Sequence, residues 1–115
     1  MRSAGAVILV AFPLAMAALA CAAESFDGRW AAHAQACDGE SPARSLLVVD
    51  PLSLRWREAV CAIRTSYRVR DAWHIGARCW ADGATSNVPI RLEMRRERLV
   101  LDWAGAPAQE LTRCP

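Results

Sequence analysis

From Pro89 to Trp103 apolar residues recur at every second position, and that period of two commits this part of the chain to β-structure. Ile90, Leu92 and Met94 alternate with Arg91, Glu93 and Arg95, and beyond Arg96-Glu97 the pattern resumes at Leu99, Leu101 and Trp103. Successive strand side chains point to opposite faces, so each set falls on one side of a sheet. A two-residue turn at Arg96-Glu97 sets Met94 opposite Leu99, Leu92 opposite Leu101 and Ile90 opposite Trp103 on an apolar face. The same register places Arg91 against Asp102 on the other face, an opposite-charge pair that supports it. The segment reads as a hairpin with one buried side.

Ser45–Arg57 repeats the logic around Asp50-Pro51-Leu52-Ser53, where Pro51 has its preferred turn position. Leu47 then faces Trp56, and Val49 faces Leu54. Cys61–Thr65 and Trp73–Cys79 read as two more strands, with Cys61, Ile63, Ile75, Ala77 and Cys79 on one shared face. Gly28–Ala36 and Gln109–Cys114 supply the expected first and last strands. Ala81–Val88, rich in Asp, Gly, Ser and Asn, is expected to be the longest polar loop. No stretch of ten residues after position 23 keeps a clean helical period. Short strands separated by turn signals predict an all-β domain, a small antiparallel barrel or sandwich of seven to eight strands. Little space is expected inside it, because so short a chain fills its interior with side chains.

The first 23 residues read differently. Arg2 gives a positive start, Ala6–Ala20 is apolar apart from Pro13, and Ala18, Ala20, Ala22 and Ala23 crowd a cleavage region. This is the grammar of a signal peptide, with a core shorter than the roughly 20 residues of a membrane span. Cleavage after Ala22 or Ala23 is expected, with an uncleaved anchor helix as the alternative. Cys21 lies where a lipoprotein signal carries its modified cysteine, although Ala18 stands where such signals usually have Leu. A lipid anchor at Cys21 is thus the competing reading. Cysteine arithmetic favours plain cleavage: removing Cys21 leaves Cys37, Cys61, Cys79 and Cys114, an even set that reads as two disulfides in an exported domain. Direct pairing of Cys61 with Cys79 across a hairpin would leave Cys37 for Cys114. Pairing in sequence order, Cys37 with Cys61 and Cys79 with Cys114, is equally open.

A single domain over residues 24–115 is expected, in the periplasm or secreted. Its net charge is about +1 once Arg2 is removed, which supplies no electrostatic footprint for nucleic acid or an anionic membrane. Contact with a membrane is then expected only through the leader or an anchor at Cys21.

Gly28-Arg29-Trp30 resembles the Gly-x-Trp that opens the first strand of lipocalin-like barrels. The resemblance implies that Trp30 closes the barrel floor beneath an arginine from the last strand, a part for which Arg113 is placed. A periplasmic protease-inhibitor family of similar length also opens on Gly-x-Trp followed by a cysteine, as Cys37 follows here. The cysteine spacing is similar, more loosely, to that of small exported alphaproteobacterial proteins, a likeness that implies a compartment and a fold type and no activity.

Candidate chemistry is sparse. His33, in the expected first strand, and His74, on the polar side of its own, lack the spacing of a metal site, so no metal or other cofactor is expected. Ser41, Ser45, Ser53, Ser66 and Ser86 lie in ordinary turn or strand contexts rather than a nucleophile elbow, and no enzyme is expected. The cysteines are too far apart for a Cys-x-x-Cys redox pair. Five tryptophans remain. Trp56, Trp73 and Trp103 share faces with core residues and read as packing. Trp80 has the opposite parity to Ile75, Ala77 and Cys79 and lies beside Arg78, the composition of an interface anchor. Packing beneath the 81–88 loop is nonetheless the expected arrangement, with the interface anchor as its alternative. The expected function is therefore a non-catalytic binding module for a periplasmic protein, such as an inhibitor of an envelope hydrolase or protease. A small-molecule or lipid carrier using the barrel mouth, and an envelope accessory protein, are the alternatives.

Overall fold

The computed structural model describes residues 5–7, 25–38 and 46–115. The expected signal peptide and Cys21 lie outside these residues, save for Gly5–Val7 of the leader. Eight strands close into an antiparallel barrel in chain order: β1 (Gly28–Ala31), β2 (Leu46–Val49), β3 (Ser53–Trp56), β4 (Ala59–Val69), β5 (Ala72–Ala81), β6 (Ala84–Arg95), β7 (Arg98–Trp103) and β8 (Gln109–Arg113). Among the described residues one short helix, α1 (Ala34–Cys37), follows β1. Closure removes the sheet edges that an open sheet of this size would expose to other chains.

The alternating pattern fixes the registers as expected. Leu47 faces Trp56 and Val49 faces Leu54. Met94, Leu92 and Ile90 face Leu99, Leu101 and Trp103, and Arg91 faces Asp102. The Arg91 guanidinium, however, turns along its own strand to Glu93, whose carboxylate it shares with Arg95 at 3.2 Å each. The hydrogen bond from Arg91, followed by the charges of Arg91 and Arg95, holds the Glu93 carboxyl below its usual pKa. That pairing supports the fold above the ordinary carboxylate pKa and fades as pH falls through the lowered one.

Inward residues form one core: Trp30, Leu47, Leu54, Leu92, Leu99, Leu101 and Leu111 are all buried, with Cys61 and Cys79 among them. Cys61 and Cys79 sit directly opposite each other on β4 and β5 and are bridged inside the barrel, their Cα atoms 4.0 Å apart. Cys37 is bridged to Cys114. This second bridge pins α1 against the outer wall, where Ala31, Ala36 and Cys114 form a small separate cluster. Two bridges in so small a domain fit folding in an oxidising compartment.

Two segments depart from the sequence reading. The first strand ends at Ala31, not Ala36: the chain bends at Ala32-His33 and enters α1. His33 is therefore at the helix start and not in a strand. Of Ala34-Gln35-Ala36-Cys37, Ala36 is buried against the wall and Cys37 partly so, and the stretch has no β-branched residue to hold a strand. The expected 81–88 loop is strand as well. Ala81 pairs with Ala84 around Asp82-Gly83, whose φ values of 51° and 76° are those of a tight type I′ hairpin. Thr85, Ser86 and Asn87 continue as β6 and are exposed on both faces, because β7 pairs with β6 only from Ile90 onward and leaves this stretch without a second neighbour.

A bulge between Ile63 and Thr65 re-aims the outer half of β4. Opposite it, a Cβ on Gly76 would meet Thr65 Oγ1 at 2.5 Å, so a side chain there would have to turn the Thr65 hydroxyl aside.

Strand directions give the barrel two unlike ends. Residues 25–27, the turns after β2, β4 and β6, and the C-terminus gather at one end. The chain after β1 and the turns after β3, β5 and β7 gather at the other. The first end is closed. Arg113 Cζ lies 4.1 Å from the Trp30 ring centroid, and its guanidinium donates to the carbonyls of Asp27 and Ser25 at 2.8 Å each. Trp30 Nε1 donates to Phe26 O at 2.9 Å, while the Phe26 ring stacks on Trp73 and lies under Arg68. Gly28 makes this crossing possible. Its φ is 132°, and a Cβ there would stand 2.9 Å from Arg113 Nη1. Gly28→Ala is accordingly expected to cost about 1–3 kcal/mol, the usual range for forcing a side chain into such backbone. Thermal melts check this, and an unchanged melting temperature would contradict it.

Candidate functional site

Two surfaces stand out, and the first is the outer wall across β4, β5 and β6. Trp80 pairs with Val60 on one side and Thr85 on the other. Its outward parity follows from the sequence, and its accessibility follows from the hairpin. Because 81–88 extends as strand instead of folding back, nothing packs over the indole, which is 50 % exposed beside a 45 % exposed Val60. This overturns the expected packing beneath a loop.

Arg78 lies two residues along the same outward face. Its guanidinium donates to Thr85 Oγ1 at 3.1 Å and, more weakly, to Asn87 Oδ1 at 3.5 Å. Those bonds draw it across to β6 next to Trp80. The pair Val60–Trp80 is also the immediate neighbour of the bridged pair Cys61–Cys79. A disulfide on the inner face thus locks the two strands that carry the apolar patch on the outer face. An aromatic beside a hydrogen-bonded guanidinium, on a covalently tied platform, can desolvate against a partner with little ordering cost.

The second surface is the open end of the barrel. A cleft of about 660 Å³ lies there between the β3–β4 turn, the β5–β6 turn and the chain following β1. Ala32, Ala59 and Ala81 open it by being small, and Trp56 and Trp103 give it flat walls. His33, Arg57, Glu58, Asp82 and Gln109 form a polar rim. Arg57 Cζ lies 5.3 Å from the Trp56 ring centroid and roofs that indole. No sequence pattern announced this cleft, since its lining comes from five separate stretches of chain; the Asp82-Gly83 hairpin dipeptide was the one local signal for its rim.

The remaining candidates fall apart in space. His74 stacks on Tyr67 at 4.8 Å on the outer wall, whereas His33 lies at the cleft rim. Among the described residues, no group of three or more His, Cys, Asp or Glu is placed to hold a metal ion. No helix among them is long and apolar enough to cross a membrane. No family model matches the chain, and comparison with curated proteins and with solved structures returned no match.

Proposed function

We propose that this chain is an exported binding module of the periplasm that acts by contact and not by catalysis, taking a protein partner on the β4–β5–β6 wall. The carrying observation is Trp80: a large indole standing half exposed beside Val60 and the hydrogen-bonded Arg78, directly over the Cys61–Cys79 bridge. Trp and Arg are the residues that dominate interface energetics, and an exposed indole on a small domain is otherwise a solubility cost. An envelope hydrolase or protease is the partner class we favour, on the Gly28-x-Trp30 resemblance to inhibitor barrels. The arrangement of Trp30 beneath Arg113 supports that resemblance.

A photoreactive residue placed at Thr85, beside Trp80, is expected to form one discrete adduct with an envelope protein in living cells. The same residue at Glu110 on β8, away from the wall, serves as control. Absence of an adduct at Thr85, or equal adducts at both positions, would contradict the assignment.

A further inference from the structure

The cleft at the open end is unused by that reading, and its chemistry is specific enough to name a ligand class. We infer that it binds a neutral saccharide of about two rings. Pockets of roughly 300–1,000 Å³ take small organic ligands, and the 660 Å³ here is within that range.

Depth excludes a long chain. Two residues further in along β3, β4, β5 and β7 lie Leu54, Cys61, Cys79 and Leu101, each no more than 1 % exposed. That layer, tied by the disulfide, closes the cleft underneath, so an acyl tail has nowhere to run. What remains is a shallow site with a half-buried Trp103 on one wall.

A sugar ring presents a flat face of C–H groups that packs on the electron-rich face of an indole. Its hydroxyls both donate and accept, and the rim offers both partners: carboxylates at Glu58 and Asp82, a guanidinium at Arg57 and an amide at Gln109. One guanidinium against two carboxylates leaves the rim at about −1, which turns away an anion, and the mixture of donors and acceptors suits the hydroxyls of a polyol.

Isothermal titration of the full mature protein with N,N′-diacetylchitobiose, maltose and cellobiose tests this, with decanoate as the acyl probe. Saturable binding of at least one disaccharide is expected, weakened about ten-fold or more by Ala81→Phe, which fills the cleft. Asp82→Asn, which keeps the turn residue able to adopt positive φ, is expected to weaken it similarly. These variants spare the core, so folding is checked by melts and not assumed. Trp80→Ala should leave sugar binding intact, which separates this site from the wall. No saturable heat up to about 10 mM disaccharide would overturn the inference. So would binding indifferent to both cleft variants, or saturable decanoate binding that Ala81→Phe abolishes.

Discussion

Leu101→Asp is expected to leave no folded barrel at ordinary temperature. Leu101 is 1 % exposed and faces Leu92 in the centre of the inward layer. A carboxylate there has no partner, because among the described residues no polar or charged side chain is buried. Burial of an unpaired charge belongs to the few mechanisms that cost more than about 4–5 kcal/mol. Small domains have a total stability of about 5–15 kcal/mol, so most or all of it goes. Arg95→Ala, on the exposed face of the same hairpin, removes only a surface ion pair to Glu93 and should cost at most about 1 kcal/mol. Circular dichroism melts of the two variants separate the cases. Similar melting temperatures would mean that the β6–β7 register is wrong.

Removing the Cys37–Cys114 bridge is the second large effect. It spans 77 residues of sequence against 18 for Cys61–Cys79. In the chain-entropy account the longer loop contributes more, about 4–5 kcal/mol against about 3. Replacing both Cys37 and Cys114 by Ala is therefore expected to lower the melting temperature by roughly 20 °C, at about 4–8 °C per kcal/mol for a domain of this size. The bridge holds α1 on the outer wall and leaves the inward layer untouched, so the variant should still fold at low temperature. A loss of only a few degrees would show that the denatured chain is already compact or that the bridge does not form.

The period of two made the central hairpins readable down to individual pairs, from Leu47–Trp56 to Ile90–Trp103. It failed where the signal it relies on is absent. Thr85, Ser86 and Asn87 have no β7 neighbour and both faces in water, so nothing apolar marks the strand. Only Asp82-Gly83 announced the turn. Ala31–Ala36 has the opposite problem: small residues fit strand and helix alike, and the wall that α1 packs against is built from distant strands. The cysteine pairing was equally hidden, because both connectivities suit the spacing and only the β4–β5 register brings Cys61 opposite Cys79. Trp80 was legible by parity as outward. Whether water reaches it depended on the fold of the eight residues that follow it.

The most direct test of the binding-wall account is one variant measured twice. In Trp80→Ala the half-exposed indole leaves no cavity, so the melting temperature should stay within a few degrees of wild type. Affinity for the protein captured at Thr85 should fall by at least about 2 kcal/mol, or roughly thirty-fold, the scale of an interface anchor. Trp56→Ala, truncating an indole only 3 % exposed, should instead cost about 3–5 kcal/mol of stability. A Trp80→Ala protein that melts like wild type and binds like wild type would contradict the account, as would one as unstable as Trp56→Ala.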